Sequence, residues 1–303
     1  MMSYDFQTST HGKWILAGEH AVIRGHGALV FPVNEKKLTL SYNHSTSELN
    51  ADYTGESGAD MHLLFWSVLE QGMQILGKSL NSLSGHFHLH SNIPVGVGMG
   101  ASAALCVAMA RWFATQDIGA QLEIHHFARE LENLFHGQSS GLDIAGVAAS
   151  AGIYFRKDTP ATPIEQTWKP QWYLSSCGQI GITSHCINQV QLLWKEDAKL
   201  GLELDQQMAE SVIQARLALE KPDAESKTNL AKAINLAADC FERWGLVSES
   251  LHRHMQQLRE AGAIAVKPTG SGGGGYVVSL WSDAPPTNLT EFVSLNQGVH
   301  TSI

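Results

Sequence analysis

The chain has 303 residues, 44% of them hydrophobic, and a formal net charge of -9 at pH 7. This length and apolar content predict a globular protein with a large core and two domains. The negative balance and the lack of any lysine or arginine run argue against a nucleic-acid or anionic membrane surface. We therefore expect no nucleic-acid partner and no membrane partner.

The cysteines and the N-terminal residues indicate a cellular compartment. The four cysteines are scattered and form no C-x-x-C pair, which predicts reduced core residues: Cys106, Cys177, Cys186 and Cys240. The start "MMSYDFQTSTHGK" lacks the apolar core of a signal peptide, and no stretch approaches the ~18 uncharged apolar residues of a membrane span. We expect a soluble, unprocessed, cytoplasmic protein.

The first half of the chain mixes strands with helices. Apolar alternation predicts strands at residues 14–17, 29–33, 37–43 and 85–90. Helical spacing predicts helices at residues 60–76, 101–115 and 122–135. This half is therefore expected to be α+β.

The second half changes character after Pro160 and Pro163, which punctuate a surface connection. A strand at 172–176 precedes a helix-rich stretch from 184 to 261, and strands follow at 263–267 and 276–280. This order predicts helices stacked on a small antiparallel sheet. We place the two domains at residues 1–155 and 156–303.

A glycine loop, "PVGVGMGASAAL" at residues 94–105, connects a strand to a helix. Free backbone N–H groups at such a helix start, together with missing side chains, favour an anion; an ordinary tight turn is the alternative. A Walker loop is excluded because no lysine follows the glycines. A dinucleotide fingerprint fits only with Ala101 as its last small residue and Asp117 as the ribose ligand.

Charged residues stand out in two further stretches. In "GKWILAGEHAVIRG", Lys13 precedes a strand, and Glu19 and His20 follow its end. These residues are either solvated surface groups or ligands of a bound anion. In "ELENLFHGQSSGLDIAG", Glu132 lies on a helix and Asp143 lies among apolar residues, where a helix-capping acid is the alternative.

A second glycine loop joins two apolar strands in "AIAVKPTGSGGGGYVVSL", residues 263–280. An ordinary hairpin needs one or two glycines, whereas this loop has five in six residues. Such a run indicates either close approach of the backbone to another group or a flexible surface loop.

Taken together, "GKWILAGEHAVIRG", "PVGVGMGASAAL" with "ELENLFHGQSSGLD", and "KPTGSGGGGY" resemble the three signatures of the GHMP kinases, in order from residue 12 to about 280. The first signature is most similar to that of the mevalonate kinases. The resemblance implies an N-terminal α/β domain, a C-terminal ferredoxin-like domain of helices on an antiparallel sheet, and an active site in the cleft between them. It also implies ATP as cosubstrate and Mg²⁺ as cofactor.

The resemblance assigns roles in nucleotide and metal binding. A phosphate-binding loop is expected from Pro94, Gly96, Gly98, Met99, Gly100, Ala101, Ser102 and Ala103. Ser102 and Glu132 match the family residues that hold Mg²⁺, and hard oxygen ligands suit that ion.

The resemblance also assigns the catalytic and acceptor groups. Asp143 and Lys13 match the catalytic pair, and an acceptor site is expected from Lys13, Glu19, His20, Asp143, Thr183, Gly270 and Ser271. A carboxylate with a pKa of ~3.9 is a poor base for an alcohol, but a proton that leaves late makes positioning more important than basicity. Lys13 would keep Asp143 ionised and offset charge near the transferred group.

The implied activity is phosphorylation of the primary hydroxyl of mevalonate, giving 5-phosphomevalonate on the route to isoprenoids. A phosphomevalonate kinase, another small-molecule GHMP kinase and a non-catalytic nucleotide sensor are the alternatives. The chain departs from the family pattern in three places: Ala101 replaces a serine, Ser139 replaces a proline, and Ser184 follows Thr183 where a lysine is usual.

Two other features have ordinary explanations beside functional ones. His86, His88 and His90 share one strand face and suggest a metal site, although no fourth ligand is apparent. The amphipathic stretch 200–219 is expected to be a core helix, with a homodimer contact as the alternative.

Overall fold

The computed structural model describes residues 4–116, 122–136, 139–221 and 223–295. Asp117 lies outside them. The chain forms two compact units, each assembled from separate segments. The first unit comprises Met1–Lys13, Pro32–Val95 and Met99–Ala148, and the second comprises Trp14–Phe31, Gly96–Gly98 and Ala149–Ile303. A contiguous boundary at residue 155 stays a prediction.

The described residues of the first half form four strands and four α-helices, besides short 3-10 turns. The strands are β1 (Phe6–Ala17), β2 (Gly27–Glu48), β3 (Asn50–Thr54) and β4 (Ser84–Ser91). The helices are α1 (His62–Ile75), α2 (Ala101–Thr115), α3 (Ile124–His136) and α4 (Leu142–Ala148). Within the first unit, β2 pairs antiparallel with β4, Leu40 opposite Leu89, and β4 pairs parallel with β3.

Alternation on β4 sets the core of the first unit. Phe87 and Leu89 are buried, while His86, His88 and His90, which alternate with them, are more exposed. The Phe87 ring packs 4.8 Å from Trp112 on α2, measured between ring centroids. Helix α2 packs against α1, α3 and α4, and its small residues permit this close approach. The packing fixes the N-terminus of α2 relative to the two helices that carry Glu132 and Asp143.

Six strands and four α-helices follow in the described part of the second half. The strands are β5 (Ile153–Arg156), β6 (Thr162–Pro163), β7 (Gln171–Ser176), β8 (Ala265–Pro268), β9 (Tyr276–Trp281) and β10 (Val293–Ser294). The helices are α5 (Thr183–Glu196), α6 (Ala198–Glu220), α7 (Ser226–Arg243) and α8 (Glu249–Glu260). A fully antiparallel sheet has the order β10-β7-β9-β8, and α7 and α8 pack on β8. The predicted helices on an antiparallel sheet are therefore confirmed.

The two strands predicted at 29–33 and 37–43 are one continuous strand, β2, so that prediction was wrong. The strand continues through residues 34–36, which separate the two predicted strands, and it tolerates Pro32, which cannot donate to a strand ladder. In the structure Pro32 lies between the residues that pair with β5 (27–30) and those that pair with β4 (38–48). The missing N–H therefore removes no bond to either of those strands.

Within the described ranges, no helix combines the length and the apolar character that crossing a membrane requires.

Candidate active site

Lys13 and Asp143 form an ion pair in the first unit. Lys13 lies on β1, and Asp143 lies in the first turn of α4. The Lys13 Nζ is 2.8 Å from the Asp143 Oδ1, and the two side chains are 2% and 34% exposed. A buried ammonium needs such a partner because desolvation is costly. The more exposed carboxylate remains accessible to a bound molecule.

Glu132, on α3, is a buried carboxylate beside this pair. Burial, together with the charge of Asp143, raises the pKa of Glu132 to about 8, although Ser139 and Lys13 oppose the shift. The Ser139 hydroxyl donates a hydrogen bond to Oε2, whereas the buried Oε1 has no hydrogen-bond partner among the described residues. A carboxylate oxygen left in this state is suited to a cation that arrives with its ligand.

Hydroxyl groups hold the turn that leads into α4. The Ser139 Oγ accepts a hydrogen bond from the backbone N–H of Gly141 at 3.0 Å, and the Ser140 Oγ accepts one from Leu142 at 3.2 Å. Ser139 also contacts Glu132, so it connects the end of α3 to the turn before Asp143. Hydrogen bonds thus restrain the turn in which the family's usual proline is absent.

The N-terminus of α2 is open and free of side-chain caps. Gly100 occupies the N-cap position with φ 77°, and the first turn contains no acidic residue. A Cβ atom at Gly100 would lie 3.0 Å from Lys13 Cγ and 3.0 Å from Val147 Cγ1. Glycine is therefore required twice here, for its backbone conformation and for the space that Lys13 occupies. The first N–H groups of α2, at Ala101, Ser102 and Ala103, are suited to a phosphate.

Two glycine segments of the second unit approach each other closely. A Cβ atom at Gly98 would lie 3.3 Å from the Thr269 carbonyl oxygen, and one at Gly275 would lie 2.6 Å from the Val97 carbonyl oxygen. Gly270 has φ 92° and also lies close to Gly98: a Cβ atom added at Gly270 would lie 3.4 Å from the Gly98 Cα. Side chains at these positions would force the two backbones apart, which explains the unusual glycine content.

The residues after β1 form a strained turn in the second unit. His20 has φ 58° and ψ -47°, and the Ala21 N–H donates to the Glu19 carbonyl at 2.6 Å. This is a γ-turn with positive φ at its centre, a rare conformation for a residue with a side chain. Strain of this kind persists where the surroundings hold the backbone firmly, and it is concentrated at functional sites.

The His20 ring is buried, and one of its nitrogens is engaged. Its Nε2 lies 2.8 Å from the Ser271 carbonyl oxygen, which can only accept, so Nε2 donates. The Trp244 and Phe241 rings lie 5.2 Å and 6.1 Å from the imidazole. Burial lowers the pKa of His20 to about 4, against the effect of the Ser271 bond. The ring is therefore neutral near pH 7 and offers Nδ1 as an acceptor.

Glu19, predicted to line the acceptor site, is buried in an ion pair. The Lys267 Nζ lies 2.6 Å from the Glu19 Oε1, and Lys267 is fully buried. Sequence reasoning missed Lys267, although a lysine inside the apolar run "AIAVKP" immediately before the glycine loop was a usable signal. Thr183 and Ser271 do lie together, with 3.2 Å between their hydroxyl oxygens.

The predicted metal residues fit Mg²⁺ only in the presence of a nucleotide. In the described part of the chain, no group of three or more His, Cys, Asp or Glu residues could hold a metal ion. Mg²⁺ characteristically takes one or two protein oxygens and completes its shell with substrate phosphates and water. The buried Glu132 Oε1 and the half-buried Ser102 suit that arrangement.

The histidines on β4 make polar contacts with side chains of the neighbouring strand β3. His86 Nε2 lies 3.0 Å from Asp52 Oδ2, and His90 Nδ1 lies 3.0 Å from Thr54 Oγ1. Together with the lack of a sufficient ligand group among the described residues, these contacts favour a polar strand face over a metal site.

Comparison with known proteins identifies relatives over most of the chain. Residues 64–152 match the family model described as "GHMP kinases N terminal domain". A mevalonate kinase of Pyrococcus horikoshii is 26% identical over 90% of this chain and 87% of that protein. One of Archaeoglobus fulgidus is 27% identical over 92% of this chain and 93% of that protein.

Solved structures share the fold. The structure of L. major mevalonate kinase in complex with R-mevalonate superposes with a TM-score of 0.76 at 23% identity, covering 93% of this chain and 90% of that one. A Streptococcus pneumoniae phosphomevalonate kinase superposes with a TM-score of 0.68 at 16% identity, covering 93% of this chain and 92% of that one. The resemblance to the GHMP kinases is confirmed. Residues 64–152 match the model of the GHMP kinase N-terminal domain, and the relatives named above are mevalonate kinases.

Proposed function

We propose that this protein transfers the γ-phosphoryl group of ATP to the primary hydroxyl of mevalonate, giving 5-phosphomevalonate on the route to isoprenoids. The observation that carries the proposal is the ion pair between the buried Lys13 and the partly exposed Asp143, with Glu132 beside it. Mevalonate kinases that match nine-tenths of the chain supply the substrate class.

Asp143 orients the acceptor hydroxyl and accepts its proton late in the reaction. Its carboxylate is held by Lys13 through Oδ1 and is one-third exposed, so it remains available to an alcohol. Phosphoryl transfer passes through a loose transition state in which positioning and charge stabilisation provide most of the rate. Lys13 holds the Asp143 carboxylate in position and offsets negative charge that develops on the transferred group.

The nucleotide and its metal are assigned to the first unit by the same argument. The backbone N–H groups at the start of α2 would bind phosphate oxygens, and Ser102 with Glu132 would hold Mg²⁺. When bound, Mg²⁺ neutralises charge on the phosphate oxygens. Glu132 is buried, so its carboxylate would interact with the ion in a water-poor setting, where electrostatic interactions are stronger.

The acceptor assignment relies on the relatives and on His20. A neutral imidazole that has donated Nε2–H to Ser271 can accept a hydrogen bond from a hydroxyl, but it offers no positive charge to a carboxylate or a phosphate. A hydroxyl of mevalonate satisfies Nδ1. The choice of mevalonate over phosphomevalonate therefore rests on the mevalonate kinase relatives.

Phosphomevalonate kinase remains the second candidate because structures of that enzyme share the fold. A nucleotide sensor without turnover is the third. The presence of Lys13, Ser102, Glu132 and Asp143 argues against a sensor.

The test is a panel of mevalonate, phosphomevalonate, homoserine and galactose, each incubated with Mg-ATP and the purified chain. We expect ADP release and a new phosphomonoester with mevalonate, and at least a hundredfold lower kcat/KM for the other three. Turnover confined to phosphomevalonate would establish the second candidate. ATP binding without turnover of any acceptor would establish the sensor.

A further inference from the structure

Lys267 and Glu19 form a completely buried ion pair in the second unit. Their side chains are 0% and 2% exposed, and Nζ lies 2.6 Å from Oε1. The same ammonium donates to the Ile15 carbonyl at 3.3 Å and lies 5.1 Å from the centre of the Phe241 ring. One cation on β8 thus contacts the end of β1, the turn that follows it and helix α7.

The turn in contact with Lys267 is the strained one centred on His20. Glu19 and Ala21 close the γ-turn through their backbones, and His20 keeps φ 58°. Such a conformation needs external restraint. Before His20 the restraint is the Glu19–Lys267 pair; after it, Arg24 forms a paired hydrogen bond with the buried Asp205, with 2.6 Å between Nη2 and Oδ1.

Lys267 and His20 both contact the ring of Phe241. The Phe241 ring lies under the Lys267 ammonium and also packs edge-on against the His20 imidazole. Ser271, in the glycine loop that starts two residues after Lys267, accepts the His20 Nε2–H. A change at Lys267 is therefore transmitted to His20 through the turn, the ring and the loop.

We propose that Lys267 is a positioning residue for the acceptor alcohol: its ion pair with Glu19 holds the γ-turn so that His20 presents Nδ1 as a hydrogen-bond acceptor. The inference rests on the proposed function for the identity of the alcohol. Lys267 itself is sealed from solvent and acts only through Glu19 and His20.

A double-mutant cycle separates this role from simple support of the fold. The variants are Lys267→Met, Glu19→Gln and the double variant, which removes both charges so that neither is left buried without its opposite charge. If the pair only stabilised the fold, the double variant would recover both stability and acceptor binding. If the pair positions His20, the double variant recovers its melting temperature but keeps a raised KM for mevalonate.

We expect the mevalonate KM of the double variant to be at least tenfold above that of wild type. It should not exceed the mevalonate KM of Glu19→Gln alone. The ATP KM should stay within twofold of wild type. Ser175→Ala removes another buried hydrogen bond of the same unit, to His254 at 2.8 Å, and serves as the control. It should lower the melting temperature without raising the mevalonate KM.

A second readout needs no substrate. Nitrogen-15 NMR of the histidine rings, with the His20 signal assigned from His20→Gln, should show Nε2–H as the single tautomer in wild type and a tautomer mixture in the double variant. A wild-type mevalonate KM in the double variant, additive effects of the two single changes, or an unchanged His20 tautomer would overturn the inference. If Lys267→Met does not fold, Glu19→Gln and the double variant decide. A wild-type protein inactive with mevalonate would refute only the proposed function, because the tautomer still reports on Lys267.

Discussion

Lys13 and Asp143 form an asymmetric ion pair, in which the ammonium is 2% exposed and the carboxylate is 34% exposed. The lysine is therefore fixed by its surroundings, whereas the aspartate has one side open. A buried cation in contact with an accessible carboxylate can fix the position of that carboxylate while an alcohol binds to its open side. This relationship is the basis of the proposed chemistry.

Replacing Lys13 by methionine should slow chemistry much more than nucleotide binding. Methionine keeps the length of the buried side chain but removes the positive charge that offsets negative charge on the transferred group. We therefore expect kcat to fall at least a hundredfold and the ATP Kd to change less than threefold. Steady-state kinetics and calorimetry measure the two quantities. Lys36→Met is the matched control, because Lys36 pairs with the exposed Glu56 at 3.4 Å in the same unit. Equal losses in both variants would remove Lys13 from its role.

A methyl group at Gly100 should disturb Lys13. Gly100→Ala combines a left-handed backbone, at a cost of about 1–2 kcal/mol, with a Cβ atom 3.0 Å from Lys13 Cγ. Gly77→Ala has a similar φ of 66° and nothing within 4 Å, so it measures the backbone cost alone. We expect both variants to lose stability in urea titrations, and only Gly100→Ala to lose at least tenfold in kcat. Normal turnover of Gly100→Ala would show that the Lys13 stem tolerates displacement.

The sequence predicted the elements whose signals are local. Helix α2 spans Ala101–Thr115, as its periodicity indicated, and Lys13 lies beside Asp143, as the resemblance implied. Long-range contacts were not predictable in this way. The pairing of Glu19 with Lys267 and the γ-turn at His20 depend on which surfaces meet after folding. The continuity of β2 through residues 34–36 likewise depends on strand partners that cannot be identified from the chain alone. Ser139 was interpreted as a lost proline, whereas its hydroxyl makes two hydrogen bonds that a proline could not.

His20 should make the stability of the protein depend on pH in acid. Its folded pKa of about 4 lies below the ordinary histidine value of 6.5, so the folded state binds fewer protons between these two pH values. The stabilisation is fully present above pH 6.5 and is lost as the pH falls toward 4. At about 1.4 kcal/mol per pKa unit the loss is about 3 kcal/mol. Urea unfolding at pH 7 and pH 4.5 should show a smaller difference for His20→Gln than for wild type. An identical difference would mean that His20 is not buried in its neutral form.

Binding of Mg-ATP should release a proton at pH 7. Burial raises the pKa of Glu132 to about 8, so this group is mostly protonated in the free protein, whereas a carboxylate ligand of a metal ion must be ionised. Calorimetry in buffers of different ionisation enthalpy should report close to one released proton for wild type and none for Glu132→Gln. Equal proton release by the two proteins would assign the effect to another group.

The most direct test of the account is a rapid-quench single turnover with radiolabelled ATP, Mg²⁺ and mevalonate, comparing wild type with Asp143→Asn. The variant keeps the size of the side chain but loses the negative charge that orients the hydroxyl and receives its proton. We predict transfer of label to mevalonate by wild type, at least a thousandfold slower transfer by Asp143→Asn, and ATP affinities within threefold of each other. Near-normal transfer by the variant, or no transfer to mevalonate by wild type, would contradict the account.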